Sequence, residues 1–127
     1  MPYKIFWEED CVTVEWSGKI TYMENMEANG LIYGNKRYDT IHFQKSILLE
    51  ADLSLLKTKN VKVIGELDKK SSIWNKDLTV VHIATDPFSL ELISSWENTM
   101  KDSGWVFRTF KDLKSADSWI EKMRKSI

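Results

Sequence analysis

Apolar and polar positions alternate along Tyr3–Glu8, with Tyr3, Ile5 and Trp7 on one side and Lys4, Phe6 and Glu8 on the other. A period of two predicts a half-buried strand. Glu9-Asp10 is a polar turn, after which Val12, Val14 and Trp16 oppose Cys11, Thr13 and Glu15. The two segments predict a hairpin, ended by Ser17-Gly18. The period then changes. Thr21 with Glu24 three residues on is a capping box, so Tyr22–Tyr33 predicts a helix. Met23, Met26, Gly30 and Leu31 share one face of it, and Gly34 supplies a left-handed stop. Glycine inside a helix costs about 1 kcal/mol against alanine, so Gly30 implies a close approach to the sheet.

Asn35–Phe43 reads as a polar and aromatic connection, and Ser46–Asp52 as a largely buried strand carrying Glu50. Leu53–Lys57 is a loop. Thr58 or Asn60 can cap a helix reaching about Trp74, with Val61, Ile64, Leu67 and Trp74 inward. Leu78–Ala84 is a strand. In Thr85-Asp86-Pro87, Asp86 fits an N-cap and Pro87 the first helical position. Phe88, Leu92, Ile93, Trp96 and Met100 form the stripe of that helix, and Ser103-Gly104 ends it. Trp105–Phe110 is the last strand. Asp112 with Ser115 opens a final helix whose stripe is Leu113, Ala116, Trp119, Ile120 and Met123, with Lys122, Arg124 and Lys125 suiting its C-terminal dipole. Strands alternating with helices predict an α/β fold: a hairpin, then parallel strands joined by right-handed crossovers, five strands and four helices in one domain over residues 1–127.

That length supports a core without metal or disulfide staples. A net charge of −1 argues against nucleic acid or an anionic membrane as the main partner. There is no apolar run of membrane-spanning length, Met1–Asp10 has no signal-peptide core, and Cys11 is the lone cysteine; together they predict a cytoplasmic protein. The six tryptophans predict packing in the core, with an interface as the other reading.

Several local words resemble an uncharacterised bacterial family with the STAS-like fold, the fold of anti-sigma-factor antagonists, also likened to the CRAL-TRIO lipid-transfer domain. They are Trp16-Ser17-Gly18-Lys19-Ile20-Thr21, Ala28-Asn29-Gly30-Leu31-Ile32-Tyr33-Gly34-Asn35 with Arg37-Tyr38-Asp39, Ala84-Thr85-Asp86-Pro87, and Phe110-Lys111-Asp112 with Ala116 and Trp119-Ile120. The resemblance implies helices mostly on one face of the sheet, and no established activity. It also implies, in the antagonists, an Asp-Ser-Ser-Gly-type word whose serine is phosphorylated at the helix start after the third strand. Here Asp52-Leu53-Ser54 ends that strand, the word is missing, and Thr58 is the one hydroxyl near the helix start.

Catalytic constellations are not recognisable. His42, His82 and Cys11 lack the paired spacing of a metal site, and there is no nucleophile elbow, Walker loop or dinucleotide fingerprint, so no metal or cofactor is expected. His82 reads as a core histidine bonded to backbone or a hydroxyl, with a catalytic base paired to Asp86 as the alternative. Parallel sheets hold ligands beyond their C-terminal strand ends. Asp52, Ser54, Thr85, Asp86 and Asp112 gather there, an acidic and hydroxyl-rich group suited to a polar ligand or a partner's basic group. N-capping alone accounts for Asp86 and Asp112. The candidate ligand- or partner-binding residues are Asp52, Ser54, Thr58, His82, Thr85 and Asp86.

Ile47-Leu48-Leu49 and Val80-Val81 are apolar on both sides of their strands. Burying one such side chain contributes about 1.5–3 kcal/mol, so the face the helices leave bare needs a cover. The candidates are Asn35–Phe43, a second copy, a partner protein or an apolar ligand. Self-association is the simplest, which points to a homodimeric, non-enzymatic interaction or regulatory module. The alternative is a carrier or sensor of a small apolar, lipid-like ligand.

Overall fold

The computed structural model describes residues 2–126. Its strands are β1 (Tyr3–Trp7), β2 (Cys11–Lys19), β3 (Phe43–Asp52), β4 (Thr79–Ile83) and β5 (Val106–Phe110). Its helices are α1 (Tyr22–Tyr33), α2 (Thr58–Ser71), α3 (Pro87–Met100) and α4 (Leu113–Lys125), with a short 3-10 turn at Tyr38–Thr40. The strands lie side by side in chain order. β1 and β2 form the antiparallel hairpin, with Tyr3 opposite Trp16 and Trp7 opposite Val12. β2 to β5 are parallel. The sheet is therefore mixed, as the element order predicts.

Each parallel crossover advances one strand in the same direction. A right-handed crossover repeated that way must put every connecting helix on the same face. α1, α2 and α3 accordingly bury Ala28, Ile32, Val61, Ile64, Leu92, Ile93, Trp96 and Met100 with Val12, Val14, Trp16, Leu48 and Val80 of the sheet. No strand follows α4, so the rule does not place it. It lies on the opposite face, where Ala116 and Ile120 pack with Cys11, Phe43, Val81 and Ile83. Part of the second apolar face is thus covered from within the chain by α4, rather than by Asn35–Phe43, while Leu49 and Phe6 stay exposed. Arg124 fastens the end of α4 to the β1–β2 turn through two bonds to Asp10, of 2.7 and 2.8 Å.

Several local expectations shift. β2 runs on to Lys19, with a register irregularity between Glu15 and Ser17 and a positive φ at Gly18. β3 begins at Phe43 rather than Ser46, because Phe43, Gln44 and Lys45 already pair with β2 on one side and β4 on the other; before it, Tyr38 and Ile41 are both buried. Met23 is 72% exposed and Leu31 is exposed, so the buried face of α1 runs through Ala28 and Ile32 instead. Gly30 faces open space, not the sheet. Gly34 ends α1 with right-handed backbone, at φ −80°. α2 stops at Ser71, leaving Trp74 66% exposed; Leu67 also faces outward. Phe88 and Leu113 are exposed members of their expected stripes.

Candidate functional site

The C-terminal strand ends carry most of the candidates from the sequence. Asp86 accepts the Ser89 backbone N–H at 3.0 Å and Asp112 that of Ser115 at 2.7 Å, so both cap helices. Asp52 accepts the Ser54 backbone N–H at 2.9 Å, and its hydrogen bonds to Ser54 hold it below the usual carboxylate range. Thr58 is the first residue of α2 rather than its cap. The cap position is Lys57, in extended backbone, and its N–H is held by Asn60 Oδ1 at 3.0 Å.

These residues do not converge on one point. β3 pairs with β4 only as far as Ile47 opposite Ile83. Asp52 lies five residues beyond Ile47, about 16 Å at the rise of a strand. The end of β3 that carries Asp52 and leads to Ser54 therefore runs on without β4 beside it, while Thr85 and Asp86 turn away into α3. The same segments carry exposed apolar side chains: Leu49 on β3, Leu55 (48%) in the loop, and Phe88 (41%) and Leu90 in the first turn of α3. The result is an apolar and acidic end, formed by strand termini and helix N-termini.

His82 belongs elsewhere. It lies on the face that packs against α1–α3, lining a half-open cavity of about 100 Å³ with Gln44, Ser46, Asn25, Asn29 and Asp68 among apolar neighbours. Its ring meets Trp96 edge-on, with centroids 5.1 Å apart. Asp86 is occupied with Ser89, so no His82–Asp86 pair forms. The residue is half-buried, yet its Nδ1 is sealed and has no partner, against the expected backbone or hydroxyl bond. Gln44 Oε1 is in the same position. Burial pushes the His82 imidazole down to about 4, so it is neutral near pH 7.

Asp68 joins the three covering helices. It accepts hydrogen bonds from Tyr33 Oη on α1 and from Trp96 Nε1 on α3, the latter at 2.7 Å. Asn29 Nδ2 lies at 3.5 Å. Burial raises its carboxyl to about 6 against the opposing effect of the Tyr33 and Trp96 hydrogen bonds. Trp16 Nε1 donates to Ser46 Oγ at 3.1 Å across the sheet. Cys11, buried beneath α4, has its thiol pushed up by burial, which leaves it a poor nucleophile.

Sequence reasoning missed Gln44, Ser46, Asn29 and Asp68. A signal existed for Asp68: it stands seven residues after Val61 and four after Ile64, on the inward stripe. Among the described residues, no His, Cys, Asp and Glu cluster could hold a metal, and no helix is long and apolar enough to cross a membrane.

No family model and no curated protein matches the chain. Solved structures do. An anti-sigma factor antagonist from Mycobacterium paratuberculosis is similar with a TM-score of 0.57 at 16% identity, over 94% of this chain and 92% of that one. An uncharacterised protein of the DUF3478 family with a SpoIIAA-like fold, from Shewanella loihica, gives 0.56 at 18% identity, over 92% and 90%. At these identities the likeness is one of fold. The chain shares the α/β fold of these two proteins, the STAS-like fold that its local words resemble.

Proposed function

We propose that this chain is a non-enzymatic regulatory module that acts by binding another protein through the C-terminal end of its sheet. The observation that carries the reading is that Leu49, Leu55, Phe88 and Leu90 are all exposed on the C-terminal end of β3 and the two segments that leave β3 and β4, which also carry Asp52 and Asp86. Apolar side chains and carboxylates carried by the same segments suit a partner with an apolar centre and a basic rim. The fold likeness to an anti-sigma factor antagonist supports regulation by contact. Thr85, Ser54 and Thr58 are exposed at the same end and supply hydroxyls to the rim. A phosphate on Thr58 would sit comfortably at the N-terminus of α2.

The partner is a separate protein or a second copy of the chain. The shielding argument for a homodimer is weaker than the sequence implied, because α4 covers part of the second face. A dimer through the strand-end segments remains one form of the same proposal. The lipid-carrier alternative gains nothing from the cavity, whose roughly 100 Å³ falls below the ~300–1,000 Å³ of common ligand pockets.

The test is capture of bound protein from extracts of the cell of origin, with light scattering of the purified chain to detect self-association. Leu55→Lys with Phe88→Lys is expected to lose the captured partner, or the dimer. Trp74→Lys, at the opposite end, is expected to retain it. Equal capture by both variants would remove the strand-end surface from consideration.

A further inference from the structure

We propose that the outward face of α2, with the turn that follows it, binds an anionic lipid surface. This inference is independent of the protein-contact surface, which lies at the strand ends. Val61, Ile64 and Asp68 of α2 are buried, so its opposite side looks outward. Val63, Leu67, Lys70 and Trp74 stand there at i, i+4, i+7 and i+11, one line along a helix. α2 stops at Ser71, yet the chain keeps coiling: Ser72 N–H donates to the Asp68 carbonyl at 3.2 Å and Trp74 N–H to that of Ser71 at 3.0 Å. Val63 and Leu67 are exposed, and Ile73 and Trp74 are 68% and 66% exposed. Lys59, Lys62 and Lys70 are exposed on the same side. Apolar residues scattered singly over a surface need no explanation. Four on the outer side of one helix and its final turn, interleaved with lysines, form a face.

The net charge of −1 hides an uneven spread. Residues 57–76 hold six lysines against Glu66 and Asp68. Asp68 is turned inward to Tyr33 and Trp96, which leaves Glu66 as the acid of the outward face. α1, α2 and α3 run the same way across the sheet. Glu24 and Glu27 on α1 and Glu91 on α3 lie in the first halves of their helices, at the other end of the layer from Ile73 and Trp74; half-buried Glu97 lies further along α3. Beside Trp74, Lys36 and Asp39 line one hollow and offset each other. The complement of the face is therefore anionic and apolar. Lys70 separates a lipid surface from an acidic protein. It stands between Leu67 and Trp74, whereas the centre of a protein interface is depleted of lysine. At a lipid surface the two chemistries belong together. Apolar tips enter the headgroup boundary, where tryptophan is favoured, and lysine stems lie along them with the ammonium among the phosphates.

The experiment is flotation of the full chain with vesicles of phosphatidylcholine alone and of equal parts phosphatidylcholine and phosphatidylglycerol. Binding to the mixed vesicles only is expected, with release at about 0.5 M salt, where screening shortens to a few ångströms. Ile73→Ser with Trp74→Ser, and Lys62→Gln with Lys70→Gln, are each expected to weaken binding at least about tenfold. All four positions are exposed, so both variants should unfold at the parent's midpoint. Brominated acyl chains are expected to quench parent fluorescence more than that of Trp74→Phe, which places the indole in the bilayer boundary. The proposal is overturned by equal binding to both vesicle types, by no binding to either, or by unchanged affinity in the Ile73→Ser, Trp74→Ser variant. Absence of vesicle binding, with capture of a protein that Lys62→Gln, Lys70→Gln loses, would give the face to an acidic protein and overturn the lipid. Leu55→Ser with Phe88→Ser should bind vesicles as the parent does, and Ile73→Ser with Trp74→Ser should keep the strand-end partner, so the two proposals fail separately.

Discussion

Asp68 and His82 both touch Trp96, and burial displaces their protonation in opposite senses. The Asp68 carboxyl rises from 3.8 to about 6, and the His82 imidazole falls from 6.5 to about 4. Between pH 4 and 6 folded Asp68 keeps a proton that the unfolded chain has released. Its contribution is thus complete below about pH 4 and lost as pH rises through 6. His82 works the other way: the unfolded chain takes up a proton first, so its contribution is complete above 6.5 and lost as pH falls through 4. Each displacement is worth about 3 kcal/mol, and over the shared window they oppose. The parent should therefore show a nearly flat stability between pH 4 and 6.5 in denaturant titrations. Asp68→Asn is expected to lose stability towards acid, and His82→Phe to lose it towards neutral pH. Slopes of the same sign in the two variants would contradict the assignment. Asp68 was readable from spacing alone, being four residues beyond Ile64. Hydrophobicity favoured its neighbour Leu67, which faces water. His82 was legible as a strand residue, but the loss of its hydrogen-bond partner was not, because that depends on which side chains the neighbouring strand and helix bring.

At the scale of elements, α4 shows where pattern reading stops. Its apolar stripe predicted a helix, and the N-cap at Asp112 and the basic last turn gave its limits. The face it would cover was not legible, since handedness rules govern helices between strands and α4 has no strand after it. Ile120 is buried against Val81 and Ile83, whereas Leu113 is exposed. Ile120→Ala should cost about 2–5 kcal/mol and Leu113→Ala less than about 0.5, measured by urea unfolding. Two helical glycines make a similar pair. A Cβ at Gly30 meets open space, while one at Gly65 would stand 2.8 Å from Thr99 Cγ2, where α2 crosses α3. Gly30→Ala should stabilise the chain by up to about 1 kcal/mol, and Gly65→Ala should destabilise it. Gly30 drew notice in the sequence for the wrong reason, and Gly65 drew none. Propensity flags both equally, and only packing separates them.

At the scale of the whole molecule, element order was legible because strands and helices are short, strongly patterned and cleanly punctuated. The single direction of the three crossovers then sets the main face. The candidate site was less legible. Asp52, Ser54, Thr85 and Asp86 do share an end of the sheet, but the extra length of β3 spreads them apart. Their immediate roles are largely local caps. What makes that end a candidate surface is the set of apolar side chains around it, and exposure cannot be read from periodicity when a stripe residue such as Phe88 lies in the first turn, beyond the sheet. Hydrogen exchange of the chain alone and in complex with its captured partner tests this directly. Binding is predicted to slow exchange over residues 49–58 and 85–91 and to leave α4 and the β1–β2 hairpin unchanged. Protection confined to α4 or the hairpin, with the strand-end loops exchanging freely, would contradict it.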